Sequence, residues 1–182
     1  MIHSQSAQSN DFEQHFPVSV ELQLLGGLEE GKVRTTGNMC SPGTNIVIDG
    51  KVDERHCIPS NSETYYGDQW VSAEMIVLGD SIIHHLIEGD TVLTYTKPQI
   101  DDAFISNNDS GNGWRDFGVF SNTWKDRDGE LLSSGYIALQ AESHPIDFKD
   151  LQLLDLTGCM DENALNYKSY YIEHDPARCK YK

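Results

Sequence analysis

Acidic, amide and imidazole side chains that could transfer protons or bind a sugar cluster on alternating apolar segments of this sequence. Glu21 and Gln23 alternate with aliphatic residues in "FPVSVELQLLGG", and Gln140, Glu142 and His144 follow one another in "GYIALQAESHP". A carboxylate or an imidazole can act as a general acid or base, and amides both donate to and accept from hydroxyl groups. A surface built from these groups can bind sugar hydroxyls and can also hold a divalent ion.

The elements that must position these side chains are β-strands, in which successive side chains point to opposite faces. In the first segment one face carries Val18, Val20, Leu22 and Leu24, and Glu21 and Gln23 project from the other. In the second segment Gln140 and Glu142 project from the face opposite to the aliphatic residues. If the aliphatic faces form the core, these four polar side chains are predicted to line one shared concave face.

Alternating segments separated by turn residues predict an all-β fold. "WVSAEMIVLGDSIIHHLIEGDTVLTYTKP" contains three such runs, with turns at Gly79–Asp80 and Glu88–Asp90, and predicts an antiparallel meander. "GYIALQ" and "IDFKDLQLLDL" predict two further strands, and no segment shows sustained helical periodicity. We expect the polar stretches at 38–69 and 101–134 to be long loops, which are often functional.

The net charge limits the partners of the chain. Its 182 residues, enough for one domain and a small appendage, carry a formal charge of -16, with a mean hydropathy of -0.48. Such a surface repels nucleic acid and anionic membranes, and it suits a sugar, another neutral small molecule or a cation. Simple solubility is the alternative explanation. No apolar run approaches the ~20 residues that a membrane-spanning helix needs.

The four cysteines fall into two local pairs, Cys40 with Cys57 and Cys159 with Cys179. Their surroundings, rich in glycine, proline and asparagine, predict two disulfides formed in an oxidising compartment. Each would close a loop of roughly 15–20 residues, worth about 3 kcal/mol in the chain-entropy model. A zinc site is the less favoured alternative, because no C-x-x-C spacing occurs and only His56 lies beside a cysteine.

The alternating pattern stops after the main body of the chain. We therefore predict a domain at 1–156 and a separate small module at 157–182, held together by its cysteine pair because it has almost no core. Four side chains of this module could bind calcium through oxygen atoms: Asp161, Asn163, Asn166 and Asp175. Capping of turns is the favoured alternative for them.

Several motifs together resemble the 3-keto-disaccharide hydrolase family: "FPVSVELQLLGG", "RTTGNMC", "GDQWVSAEMIVLGDSIIHHLIEGDTVLTYTKPQ" and "GYIALQAESHPIDFKDLQLL". The resemblance covers roughly residues 1–156. It implies a concanavalin-like jelly-roll sandwich of two antiparallel sheets with a concave, sugar-binding face. It also implies a bacterial exported enzyme that cleaves glycosides already oxidised to a ketone at carbon 3. Residues 158–181 are similar to cysteine-paired modules appended to exported bacterial proteins, which imply secretion or surface display.

On such a substrate the ketone acidifies the hydrogen on carbon 2, so that a general base can start a β-elimination that water then completes. The reaction needs a base, an acid for the leaving group and a group that stabilises the enolate. We predict Glu21, His85 and Glu142 as catalytic. His85 is the first choice for the base, because the family tends to carry a histidine there, and His84 points to the opposite face. Glu21 and Glu142 could instead form the carboxylate pair of a classical glycosidase.

Other polar and aromatic residues are predicted to bind the substrate. Arg34 could fix a substrate oxygen, and tryptophans in the long loop could stack on a sugar ring, whereas Trp70 is predicted to lie in the core. The predicted substrate-binding residues are His3, Gln5, Gln23, Arg34, Gln140, His144, Trp114 and Trp124.

The chain begins at Met1 within a strand-like segment, where members of the resembled family normally carry further strands. We therefore expect an N-terminally truncated sequence, which would also explain why no secretion signal precedes a protein expected in the periplasm, in the medium or at the cell surface. A divalent metal ion could serve as a cofactor by stabilising the enolate, and convergent hydrogen-bond donors are the alternative. A non-catalytic carbohydrate-binding module is the main alternative function, since one fold serves both. An inactive fragment is a third.

Overall fold

The computed structural model describes residues 1–12, 14–101, 122–124, 126–142 and 144–182. Their regular structure is β-strand apart from short 3-10 turns at Ala7–Ser9, Asn122–Trp124 and Pro176–Arg178. The strands are β1 (Glu21–Gln23), β2 (Asn38–Cys40), β3 (Thr44–Ile48), β4 (Lys51–Asp53), β5 (Cys57–Ile58), β6 (Ala73–Leu78), β7 (Ile82–Ile87), β8 (Asp90–Ile100), β9 (Thr157–Gly158) and β10 (Glu173–His174).

The predicted meander forms one side of a five-stranded antiparallel sheet with the order β4-β3-β8-β7-β6. β6, β7 and β8 follow one another through tight turns in which Gly79 and Gly89 have positive φ. Glycine adopts this conformation without the steric cost that a Cβ atom brings, so these two residues set the turns that the sequence predicted. The meander is therefore confirmed.

A second sheet carries the first of the polar segments. It has the order β1-β2-β5, with Glu21 opposite Cys40 and Gln23 opposite Asn38. The N-terminal residues extend it, since Ile2 bridges to Val20. The chain near Tyr136 lies against the other side of this N-terminal segment through a bridge to Ser4. At Gly135 an added Cβ would lie 2.5 Å from the backbone carbon of His3, so this approach needs glycine.

The two sheets pack on each other through a buried hydrophobic cluster. Ile2, Val20, Met39 and Ile58 come from the three-stranded sheet and its extension, and Ile46, Ile83 and Tyr95 come from the five-stranded sheet. Full burial of such side chains contributes about 1.5–3 kcal/mol each. A smaller cluster joins Val18, Ile100 and Trp124. The protein is thus an all-β sandwich of antiparallel sheets, as predicted.

The structure divides into two compact units, Met1–Gln140 and Ala141–Lys182. In the second unit β9 and β10 pair in parallel, and a disulfide joins Cys159 to Cys179. In the first unit a disulfide joins Cys40 to Cys57 on adjacent strands. Both predicted disulfides are present, and the tail is disulfide-stapled as expected. The predicted domain boundary after residue 156 stays a prediction.

Two predictions about strands were wrong. "GYIALQ" forms no strand, although Tyr136 and Ala138 bond through their backbones to Ser4 and Met1, and none of the described residues between 145 and 156 lies in a strand. Leu151 and Leu153 in this segment are 65% and 80% exposed. Alternation predicts an apolar face, but a strand also needs a neighbouring strand to pair with, and the pattern does not show whether one is present. Conversely, the predicted loop at 38–69 contains β2 to β5.

Candidate functional site

One face of the three-stranded sheet is polar, as the alternation in β1 predicted. Val18 and Val20 are buried on the core side, whereas Glu21 and Gln23 are half-buried on the opposite side. Residues opposite each other in an antiparallel ladder share a face, so Asn38 lies beside Gln23. We call the surface formed by Glu21, Gln23 and Asn38 the polar face.

The Asn38 side chain is held by four hydrogen bonds. Its Oδ1 accepts from the Ser60 backbone N–H at 2.9 Å and from the Thr35 hydroxyl at 2.8 Å. Its Nδ2 donates to the Thr35 carbonyl at 3.1 Å and to Gln23 Oε1 at 3.2 Å. An asparagine amide has two donors and can accept twice, so these bonds use its full capacity. Asn38 is therefore held rigidly and holds Gln23 in turn.

Arg34 joins two loops next to this sheet. Its guanidinium donates to the Gly26 carbonyl at 2.7 Å, and its backbone N–H donates to the Thr64 hydroxyl at 2.8 Å. The side chain is half-buried, so a further N–H group could still reach a ligand. Its predicted contact with a substrate oxygen stays a prediction.

His85 lies on the core side of β7, so its predicted placement in a groove was wrong. The residue is 0% exposed. Its Nδ1 lies 2.9 Å from the Gly37 carbonyl and its Nε2 lies 2.9 Å from the Tyr95 hydroxyl. Burial lowers the pKa of His85 to about 4. A base must reach its substrate, and an enclosed imidazole with both nitrogens engaged does not.

His84 faces the other way, on the outer side of the five-stranded sheet. It is half-buried, and its Nδ1 lies 2.8 Å from the Thr94 hydroxyl on β8. This is the parity that the sequence predicted for the histidine pair, with the inner and outer members exchanged.

His3 and Gln5 are also buried within the N-terminal segment. His3 is 9% exposed, and its Nε2 lies 3.1 Å from the Gly79 carbonyl; burial lowers the pKa of its imidazole. Gln5 is 8% exposed, accepts from the Val18 backbone N–H at 2.7 Å and exchanges bonds with Gln14. His3 attaches the N-terminal segment to the turn at Gly79, and Gln5 attaches it to the chain at Val18. A contact with substrate stays a prediction for both residues.

The tryptophans are placed the other way round from the prediction. Trp124 is 7% exposed and packs in the smaller core cluster, so it does not rim a groove. Trp70, predicted to be in the core, is 57% exposed. Trp114 lies outside the described residues, and its predicted role stays a prediction.

Gln140, Glu142 and His144 are divided between the two units. Gln140 ends the first unit and is half-buried, whereas Glu142 and His144 are exposed in the second unit. Their predicted participation in the site of Glu21 stays a prediction.

Within the part of the chain that the structure describes, no group of three or more His, Cys, Asp or Glu residues is placed to hold a metal ion. In the tail Asp161 accepts from Asn163 and from the Tyr181 hydroxyl, and Asp175 accepts from the Ala177 backbone N–H and from Arg178. The bonds from the Asn163 and Ala177 backbone N–H groups cap turns, which is the role that was favoured over calcium binding for these residues.

Asn38 was not predicted as a member of the polar face. Its motif "RTTGNMC" was noted, but the residue was assigned to a loop, and its partner Gln23 lies 15 residues away. Cys40, two residues later, was the available signal. Residues at i and i+2 of a strand share a face, so a strand that carries Cys40 beside Glu21 also carries Asn38 on that face.

Comparison with known proteins identifies the family to which this chain belongs. Jelly-roll sandwiches serve lectins and other proteins, so the architecture alone defines only a class. A family model described as a 3-keto-alpha-glucoside-1,2-lyase-like domain matches residues 1–154. The match spans most of the chain, and the protein therefore belongs to this family, which gives it a carbohydrate-related role. No curated protein and no solved structure matches the chain.

Proposed function

We propose that this protein cleaves glycosides whose sugar ring carries a ketone at carbon 3, and that Glu21 on the polar face takes part in proton transfer. Membership of the 3-keto-alpha-glucoside-1,2-lyase-like family carries the proposal. The polar face supports it, because a carboxylate and a fixed amide lie side by side on the accessible side of β1.

The proposed reaction is a β-elimination followed by addition of water. A base takes the proton from carbon 2, and the electron pair of the broken C–H bond moves into an enolate on the ketone oxygen. The enolate then expels the glycosidic oxygen from carbon 1, which breaks the C–O bond, and that oxygen takes up a proton. Water adds to the resulting double bond and completes net hydrolysis.

Glu21 is the proposed base. A carboxylate at this position can accept the proton, while Gln23 binds a neighbouring sugar oxygen through its amide. His85 takes no part in this reaction, because it is enclosed in the core. Glu142 and His144 stay predictions for the proton donor to the leaving oxygen.

Release of sugar from 3-keto-trehalose or a 3-keto-glucoside tests the proposal. We expect turnover by the native chain, and a loss of about 10²–10⁴-fold in kcat for Glu21→Gln, the usual contribution of a general base. Glu74→Gln is the matched control, since Glu74 is an exposed strand glutamate on the other sheet. Running the assay with and without EDTA shows whether a divalent metal ion contributes. Absence of sugar release, or full activity of Glu21→Gln, would contradict the proposal.

A non-catalytic carbohydrate-binding role is the second candidate, and Trp70 is the observation that favours it. An indole that is 57% exposed can stack on a sugar ring, as lectin sites commonly require. In that case unmodified glycans should bind saturably without turnover, and Trp70→Ala should abolish the binding. Binding that survives in Trp70→Ala would count against this role for the residue.

We also propose that the protein works in the periplasm or outside the cell. The two disulfides are compatible with an oxidising compartment. Within the described residues no helix has the length and apolar character to cross a membrane. Fractionation of cells followed by immunoblotting tests the location, and recovery of the mature protein in the cytoplasm would contradict it.

A further inference from the structure

The backbone fixes which end of the Asn38 amide faces Gln23. The Ser60 N–H can only donate, so it must meet the oxygen of the Asn38 amide, which lies 2.9 Å away. The Thr35 carbonyl can only accept, so it must meet the nitrogen, 3.1 Å away. The Asn38 side chain is 8% exposed, which leaves little room for another arrangement. Its nitrogen is therefore the atom that reaches Gln23.

The orientation of the Asn38 amide determines the orientation of the Gln23 amide. Since Asn38 Nδ2 donates, the atom of Gln23 that receives the bond at 3.2 Å must be its oxygen. The nitrogen of Gln23 then points away from Asn38, and within the described residues no bond occupies it. A glutamine that is free to turn would present either end, so the pairing with Asn38 selects the donor end.

The donor end of Gln23 lies on the same strand face as Glu21. Residues at i and i+2 of a strand are about 7 Å apart. A hydrogen bond spans about 3 Å. At this separation the Glu21 carboxylate can therefore contact an acidic C–H group while the Gln23 amide donates to the oxygen of the neighbouring carbonyl group. In a 3-keto sugar these two groups are adjacent, because the acidic hydrogen is on carbon 2 and the ketone is on carbon 3.

We infer that Asn38 is a positioning residue that locks Gln23 with its N–H groups outward, where they donate to the ketone oxygen as negative charge develops on it. This inference rests on the proposed function for its substrate. Gln23 then stabilises the enolate, and Asn38, which does not touch the substrate, sets the direction of that hydrogen bond. Loss of one such donor typically costs about 10²–10³-fold in kcat.

Two isosteric substitutions test the inference by changing donors while keeping shape. Asn38→Asp keeps acceptors for the Ser60 N–H and the Thr35 hydroxyl but removes the donor to Gln23, so the Gln23 amide should turn its nitrogen inward. Gln23→Glu keeps the acceptor for Asn38 and removes the outward donor. We expect kcat on a 3-keto-glucoside to fall about 100-fold in each, with a KM change of less than about threefold.

Thr35→Val is the matched control. It removes the hydroxyl bond to Asn38 Oδ1 but leaves the donor to Gln23 in place. We expect lower thermal stability and a kcat within about threefold of the native value. An equal loss of kcat in this variant would show that general loosening of the network, not orientation of the amide, causes the effect, and it would overturn the inference.

Exchange of the Gln23 side-chain amide protons with water gives a readout that does not depend on activity. The resonances are assigned by their loss in Gln23→Glu, which keeps the acceptor for Asn38 Nδ2. In the native protein they should exchange rapidly, and in Asn38→Asp they should become protected. Protected amide protons in the native protein would overturn the inference, as would unchanged kcat in Gln23→Glu. If the native chain releases no sugar, the proposed function fails, and the exchange measurement alone decides the orientation of Gln23.

Discussion

Acidification is expected to destabilise the protein through His85. The Gly37 carbonyl can only accept, so Nδ1 of His85 carries the proton and Nε2 accepts from the Tyr95 hydroxyl. Burial raises the pKa of Tyr95 well above its ordinary value, so this hydroxyl keeps its proton. The neutral imidazole is therefore fully bonded, and a second proton would introduce a charge into a site that is 0% exposed.

The magnitude follows from the difference in pKa between the two states. Burial lowers the pKa of His85 from 6.5 in the unfolded chain to about 4 in the folded protein. Between these values the unfolded state binds more protons, so stability falls as the pH falls through this window. At about 1.4 kcal/mol per pH unit the full effect is about 3 kcal/mol, of which about 2 kcal/mol is lost between pH 7 and pH 5.

Urea unfolding at several pH values measures this effect. Native protein and His85→Gln are compared, because glutamine offers a donor and an acceptor but does not titrate. Other groups contribute equally to both proteins, including His3, whose pKa is also lowered by burial. The native protein should therefore lose about 2 kcal/mol more than the variant between pH 7 and pH 5.

An NMR titration of the native protein provides an independent check if the variant folds poorly. The imidazole carbon resonance of His85 should show no titration step near pH 6.5 and should shift with a midpoint near pH 4. A midpoint near 6.5, or equal pH dependence of the native and variant unfolding free energies, would refute the placement of a neutral, enclosed His85.

Three further predictions concern packing and covalent links. Trp124→Ala should lower the free energy of unfolding by about 3–5 kcal/mol, whereas Trp70→Ala, at an exposed position, should change it by less than about 1 kcal/mol in the same urea experiment. Gly135→Ala should lower the melting temperature, because its Cβ would overlap the backbone of His3, and Gly26→Ala, which has space, should not. Replacing both cysteines of the disulfide between β2 and β5 by alanine should cost about 3 kcal/mol, and alkylation of all four thiols without reductant would contradict both disulfides.

Features that depend on neighbouring residues could be predicted from the sequence. The meander depends on local turns, and each cysteine pair spans about 20 residues or fewer, so local patterns were enough. The polarity of β1 was also predictable, because Glu21 and Gln23 alternate with strongly apolar residues. In these places one local signal points to one structure.

Features that depend on distant partners were not predictable. In "SIIHHLIEG" both faces of the strand carry aliphatic residues, so alternation could not show whether His84 or His85 faces the core. Gly37, which is 48 residues away, and Tyr95 decide it, since only the inner ring meets their carbonyl and hydroxyl. The same limit applies to Trp70 and Trp124, whose burial depends on chain segments far from them in sequence.

The histidine chosen for chemistry instead supports the backbone that carries the polar face. His85 donates to the Gly37 carbonyl, and the Gly37 N–H donates to the Gln23 carbonyl at 2.8 Å. Gly37 has a φ of 69° and no space for a Cβ beside Ile87, so only glycine fits between the core and β2. Asn38 follows at once in the chain. Gly37 therefore connects His85 to both Gln23 and Asn38. We expect protonation of His85 at acid pH to destabilise the core and to disturb the positions of Gln23 and Asn38 at the same time.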